Sequence, residues 1–310
     1  MSGVKKKALF GGAIAALMAA SAFATGALAL DPGYRALDAE HTLVIDTTKG
    51  RIVVEMYPDM APNHVERLVT LTRQHFYDNV IFHRVIEDFM DQTGDPKGTG
   101  EGGSSLPDLK AEFTFRHDTN FPMAVATHPS GSMVGFVGAM PVQSQVNELA
   151  AITKDGKTEA WGLYCQGTLG MAHSYDPNSG NSQFFLMRGA NASLEQHYTA
   201  FGTVVSGMDV VRKMKIGEPP VNPDKMTKVQ ILADMPAADR PNLEVMDTHS
   251  TQFQAILDKT RKDKGVNFSA CDVTVPAKIV GAADATTAAP PPLVKAAPSA
   301  PTAPPGAGND

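Results

Sequence analysis

The stretch Phe82–Gly103 reads FHRVIEDFMDQTGDPKGTGEGG, and about eighty residues later Gly180–Met187 reads GNSQFFLM. The first places one arginine, Arg84, beside Phe89, Met90 and Gln92. The second repeats the chemistry with Gln183 and Phe185. On a strand Arg84 shares a face with Phe82 and Ile86, an apolar setting for a guanidinium, while His83 points to the opposite face as a packed structural histidine. Together these residues supply a fixed cation, two amides and several aromatics, without a nucleophile and without clustered carboxylates. Such a set suits a reaction that makes and breaks no covalent bond, and rotation about a peptide bond before proline is one.

Other chemistries are poorly served. Gly98, Gly100 and Gly103 match G-x-G-x-x-G, but a dinucleotide site needs a helix opening directly after it. Ser-Ser-Leu-Pro follows here and starts no helix, so the glycines are read as a tight surface loop. None of the 9 histidines stands in a metal-binding spacing. No Gly-x-Ser-x-Gly elbow is present. The formal net charge is −6. An acidic chain without an arginine-rich run is a poor nucleic-acid binder.

The termini differ from the body. Lys5, Lys6 and Lys7 precede an uncharged stretch from Ala8 to Leu30 that ends in Ala27-Leu28-Ala29, an A-x-A cleavage site. Residues 1–29 read as a signal peptide for export to the periplasm. An uncleaved anchor is the competing reading, but the stretch is rich in Ala, Gly and Ser, and no stable membrane anchor is expected. Cys165 and Cys271 either pair in an oxidising compartment or stay as two buried thiols. From Pro276 onward 19 of 35 residues are Ala or Pro. That tail, 276–310, cannot bury enough apolar surface to offset its ordering entropy, and disorder is expected.

Between the termini, β-rich segments at Leu43–Asp46 and Arg51–Tyr57 flank a turn at Thr48-Lys49-Gly50. A helix begins at Pro62, with Asn63 and Glu66 at capping-box spacing and Val65, Leu68, Val69 and Thr72 on one face. Further strands are expected at Phe82–Ile86, Gly167–Ala172, Gln183–Met187, Phe201–Val205 and Val229–Ala233, with a short helix at Gly207–Met214. Asn120–Glu159 reads as an elaborated loop or hairpin. Past Pro236, Asp247 can cap a helix ended by Gly265, and Phe268–Val275 can add a strand. Many short strands, two main helices and frequent turn residues argue for a mainly β fold, a closed antiparallel β-barrel.

FHRVIEDFMDQTGDPKGTGEGG, LGMAHSYDPNSGNSQFFLM (Leu169–Met187) and YTAFGTVVSGMDVV (Tyr198–Val211) together resemble three successive signature blocks of the cyclophilin family of peptidyl-prolyl cis-trans isomerases. The resemblance covers residues 41–235, apart from a long insertion at 118–163, and leaves 236–275 as a C-terminal extension. It implies an eight-stranded antiparallel barrel capped by two helices, acting on Xaa-Pro polypeptides with no cofactor and no metal. Position by position it makes Arg84 the catalytic arginine and Phe89, Met90, Phe185 and Leu194 the apolar proline pocket. Gln92 and Gln183 become amides holding the substrate backbone, and Ala172 and His173 part of the peptide groove. Tyr198 takes the place of a pocket histidine and can cap a proline ring with its face. Thr93, His173 and Ser193 also depart from the family pattern, and Ser193 weakens the expectation of tight cyclosporin binding. The role implied is assistance to the folding of exported proteins. The rivals are a proline-peptide binding module or chaperone with little turnover, and a membrane-tethered scaffold.

Overall fold

Alternating apolar residues over 42–56 make a hairpin, and the rest of the architecture is added to it. In a computed structural model, which describes residues 30–280, the strands run in chain order β1 (Tyr34–Ala36), β2 (Thr42–Thr47), β3 (Gly50–Met56), β4 (Arg84–Ile86), β5 (Met90–Thr93), β6 (Phe115–His117), β7 (Ala124–Thr127), β8 (Ser132–Val137), β9 (Met140–Gln145), β10 (Thr158–Gly162), β11 (Thr168–Met171), β12 (Phe184–Met187), β13 (Ala200–Ser206), β14 (Met226–Ile231), β15 (Leu243–Met246) and β16 (Ala277–Ile279). The helices are α1 (Pro62–Arg73), α2 (Met208–Val211) and α3 (Thr251–Lys264). The leader read as a signal peptide and the tail beyond residue 280 lie outside the described residues.

Eight strands form one antiparallel sheet in the order β14-β2-β3-β13-β11-β12-β5-β4. β2 and β3 pair from Thr42↔Glu55 to Thr47↔Gly50 across the Thr48-Lys49 turn. Leu43, Ile45, Ile52 and Val54 are wholly buried against Phe184, Leu186, Phe201 and the Val65–Leu68–Leu71 face of α1. Each such side chain, fully buried, contributes about 1.5–3 kcal/mol. This row therefore holds the helix to the sheet.

The expectation of a closed barrel is corrected: the sheet curls but stays open, a half-barrel. Its edge strands β14 and β4 share no ladder. Residues 212–225 pass between them, and their only ladder contacts are the single bridges Ile81↔Lys225 and Val85↔Gly217. Asp224 fixes that connection by accepting from Thr48 Oγ1 at 2.8 Å and from the Lys215 amide at 3.0 Å. The strand expected from Phe82 begins at Arg84, and Phe82 turns into the core instead of sharing a face with the arginine.

The start of α1 also differs. Pro62 opens the helix, but Ala61 is the N-cap and no capping box forms. The Glu112 carboxylate caps it from outside, accepting the amides of Asn63 and His64 and the His64 Nδ1 contact at 2.6 Å. A carboxylate from a distant segment satisfies the same orphan N–H groups that a local side chain would.

Of the loop and hairpin readings of the insertion, the hairpin holds: its strands β7–β10 join β6, just before it, in a five-stranded antiparallel sheet, β6-β10-β9-β8-β7. β1, β15 of the extension and β16 make a three-stranded sheet. Ser250, not Asp247, caps α3, its hydroxyl accepting from the Phe253 amide, and Gly265 ends the helix at φ 56°. Phe136 of the insertion, Val245, Phe253 and Leu257 of the extension, and the disulfide residue Cys165 share one core. The segment around β1, the insertion and the extension thus build a second unit beside the half-barrel. Two corrections follow within it. Residues 268–275 hold a single 3-10 turn, Ala270–Asp272, in place of a strand. The segment read as disordered from Pro276 contributes β16, paired with β15 from Leu243↔Ile279 to Val245↔Ala277.

Cys165 and Cys271 are joined by a disulfide, with Cα atoms 4.9 Å apart. It closes a loop with a sequence separation of 106 residues, for which chain entropy gives about 4–5 kcal/mol. A second tie is polar. Arg35 of β1 grips Glu55 of β3 bidentately at 2.6 and 2.8 Å, Tyr57 donates to the same carboxylate at 2.5 Å, and the Ala139 amide donates to Tyr57 at 2.7 Å.

Candidate active site

Register assembles the site. Arg84 of β4 stands opposite Gln92 of β5, Gln92 opposite Phe185 of β12, and Phe185 opposite Gly170 of β11. Residues paired across antiparallel strands project to the same face. The row Arg84–Gln92–Phe185 therefore lies together on the face away from the central core, whereas Phe184 and Leu186 point inward. Gly170 ends the row because a side chain there would strike Phe185: an added Cβ would sit 2.5 Å from its ring and 2.8 Å from the Tyr164 hydroxyl.

Arg84, Phe89, Met90, Gln92, Ala172, His173, Phe185, Leu194 and Tyr198 line one cavity of about 130 Å³. These are nine of the ten site residues expected from sequence. Its walls are aromatic: Phe185 meets Tyr198 edge to face at 5.9 Å, and Tyr198 stacks on His173 at 4.3 Å. His173 is held in turn by the carbonyls of Ser174 at 2.7 Å and His197 at 2.8 Å. The tenth residue, Gln183, lies in an adjoining cavity of about 520 Å³ that shares Gln92, Ala172 and His173 with the first.

Gln183 is already engaged. Its Nε2 donates to the carbonyls of Gly100 at 2.9 Å and Gly102 at 2.8 Å, and its Oε1 accepts from Gln92 at 2.9 Å. Gln92 Oε1 faces Arg84 Nη1 at 3.5 Å. The glycine-rich loop is shaped by Asp95, whose carboxylate accepts the amides of Lys97, Thr99 and Gly100 at 2.7–2.8 Å. Burial pushes that carboxyl up, but the converging amides win and hold it at about 2. The loop so shaped presents two carbonyls to Gln183.

Three participants escaped sequence reasoning. Glu218 accepts from Arg84 Nε at 2.6 Å. Tyr164, 1% exposed, stacks behind Phe185 at 5.9 Å. Asp95 organises the loop. Glu218 stands 134 residues from Arg84 in a segment with no motif, whereas Tyr164 stands just past the insertion, where nothing marked a contact with the pocket. His83, 5% exposed, faces away from Arg84's row, its ring nitrogens lack hydrogen-bond partners, and burial lowers its pKa. Among the described residues no group of three or more His, Cys, Asp or Glu side chains is placed to hold a metal ion, and no helix is long and apolar enough to cross a membrane.

The site is thus an apolar cavity with Arg84 on its wall and a larger groove beside it, on a curled antiparallel sheet. Residues 42–232 match the family model described as cyclophilin type peptidyl-prolyl cis-trans isomerase/CLD. A probable peptidyl-prolyl cis-trans isomerase of Brucella suis is 35% identical over 237 residues, 71% of this chain and 97% of the relative. The peptidyl-prolyl cis-trans isomerase-like 1 of Aspergillus fumigatus is 34% identical over 172 residues, 56% of this chain and 80% of its own. The crystal structure of cyclophilin AquaCyp293 from Hirschia baltica superposes with a TM-score of 0.73 at 33% identity, over 79% of this chain and 93% of that one. The chain belongs to the cyclophilin-type peptidyl-prolyl cis-trans isomerase family, and it is an isomerase.

Proposed function

We propose that Arg84 is the group that lowers the rotational barrier and that the apolar cavity seats the proline ring. The observation that carries this reading is the guanidinium on the wall of the cavity formed by Phe89, Met90, Phe185 and Leu194. Amide resonance sets a barrier of roughly 18–20 kcal/mol. As the bond twists, the proline nitrogen becomes pyramidal and gains a lone pair. A hydrogen bond from Arg84 to that nitrogen is strong only in the twisted state, and this difference speeds rotation. The apolar walls lower the local dielectric and strengthen the contact. Arginine suits the role because it stays protonated and offers a rigid fork of donors. Gln92, with one N–H not committed to Gln183, holds a flanking carbonyl so that one side of the peptide stays still.

The test is a protease-coupled assay on a short Ala-Pro peptide. Arg84→Ala should lower kcat/KM by on the order of 10²–10³, as for loss of one transition-state donor. Near-full activity in that variant would overturn the assignment. The same assay separates the enzyme from a binding module, which would hold the peptide without turning it.

We further propose that the clients are exported proteins and the compartment is the periplasm. Support comes from the basic, then apolar, then A-x-A pattern of residues 5–29. The Cys165–Cys271 disulfide also suits an oxidising space. N-terminal sequencing of protein recovered from the periplasmic fraction should begin at Leu30. A retained Met1 on membrane-bound protein would refute export by cleavage.

A further inference from the structure

We infer that Glu218 is a positioning residue that sets the plane of the Arg84 guanidinium; the inference rests on the reading of Arg84 given above. The carboxylate accepts the Arg84 Nε–H at 2.6 Å. Gln92 Oε1 takes Nη1 weakly, at 3.5 Å. A guanidinium is planar, so holding its Nε edge fixes the direction of the whole fork. What remains open is the Nη end, and Arg84 is part of the cavity wall.

Glu218 is delivered by backbone. The Val85 amide donates to the Gly217 carbonyl at 2.8 Å, and the Gly217 amide donates back to Val85 at 2.9 Å. That reciprocal pair docks the connection between α2 and β14 onto the outer edge of β4, one residue from Arg84 on one side and one from Glu218 on the other. Gly217 has φ 152°, and an added Cβ would come within 2.5 Å of Pro220. Only glycine fits there without displacing the carboxylate. Lys215 Nζ, bonded to the Asn222 carbonyl at 2.6 Å, closes the base of the same connection.

The pair is of little use for stability. Its side chains are 40% and 52% exposed, and ion pairs of that kind are largely cancelled by hydration and side-chain entropy. Two effects on catalysis oppose each other. The carboxylate draws off part of the positive field, yet it also holds a side chain that would otherwise sample many rotamers. At an exposed site water screens the first effect. The second is not screened, because a donor that points elsewhere stabilises nothing. Orientation therefore outweighs neutralisation.

The experiment measures kcat and KM separately for an uncharged Ala-Pro peptide with wild type, Glu218→Ala, Glu218→Gln, Arg84→Ala and the Arg84→Ala/Glu218→Ala double variant. Glu218→Ala should lower kcat by about tenfold, the scale of a misaligned catalytic group, with KM almost unchanged. Glu218→Gln should recover most of the loss, since its amide oxygen accepts the same Nε–H. All variants should keep the wild-type Tm, and the double variant should match Arg84→Ala alone. Unchanged or raised kcat in Glu218→Ala overturns the inference, as does an equal loss in Glu218→Gln, which would make charge the cause. If Arg84→Ala is itself fully active, the reading of Arg84 fails. If Arg84→Ala is impaired while Glu218→Ala is not, only the positioning role fails.

Discussion

Gln92 Nε2 and Gln183 Oε1 lie 2.9 Å apart, and this contact is the middle link of a relay in one direction. Arg84 faces Gln92, Gln92 donates to Gln183, and Gln183 donates to the Gly100 and Gly102 carbonyls. Each amide is held by the next, so Arg84 is tied to the glycine-rich loop that follows β5. Both Gln183 hydrogens are spent on the loop. Its contribution to the substrate is therefore indirect, through the aim of Gln92. Gln183→Ala should lower kcat/KM on an Ala-Pro peptide by about tenfold, the scale of a misplaced positioning contact. Gln183→Glu should be worse, because a carboxylate would face two carbonyls with no hydrogen to offer. Steady-state assays on both variants check the order; a fully active Gln183→Glu would break the relay argument.

Phe185 forms a wall of the apolar cavity. Its ring fills the space left by Gly170, backs onto Tyr164 and meets Tyr198 at its edge. Truncation removes the cavity wall and leaves a void in a residue that is 5% exposed. Phe185→Ala should lose measurable affinity for an Xaa-Pro peptide in calorimetry and cost about 3–5 kcal/mol in denaturant unfolding. Equal peptide affinity in both forms would remove Phe185 from the binding site.

Much of this was legible in the chain. The hairpin at 42–56, the apolar face of α1 and Arg84, Phe89, Met90, Gln92 and Phe185 follow from short-range pattern, whereas Ala172, His173, Leu194 and Tyr198 came only with the family resemblance. What was not legible depends on contacts that sequence does not mark. Glu112 replaces Asn63 as the cap of α1 from a segment 48 or 49 residues away. The barrel was expected to close, but closure depends on whether β4 and β14 meet, and the 212–225 connection separates them. The tail at Pro276 looked too poor in apolar residues to order. Three of its residues do so because β15 presents an unpaired edge, and backbone hydrogen bonds ask nothing of side-chain hydrophobicity. Composition could not show that insertion and extension share a core. Phe136 and Phe253 are far apart in sequence, yet their rings meet at 5.2 Å.

Asp91 stands between Met90 and Gln92 on β5 but faces the other side, 0% exposed and without a hydrogen-bond partner on either oxygen. Burial pushes its carboxyl up to about 7, against the pull of Arg188 at 3.5 Å and with a small push from Asp224. A carboxyl that holds its proton more tightly folded than unfolded favours the fold at low pH. Its contribution is whole below about pH 4 and is lost as pH rises from there to about 7. At 1.36 kcal/mol per unit, the loss amounts to up to about 4 kcal/mol. Asp91→Asn, which cannot ionise, should match wild type in denaturant unfolding at pH 4 or below and exceed it at pH 8. Because Arg188 then keeps only its bond to the Arg212 carbonyl at 2.6 Å, the gain should be smaller than the full figure. Removing Arg188 alone should do the reverse, leaving Asp91 without its counter-charge and costing about 3–5 kcal/mol at pH 8. A flat stability difference between wild type and Asp91→Asn from pH 4 to pH 8 would mean that the carboxylate stays ionised throughout, with Arg188 prevailing over burial.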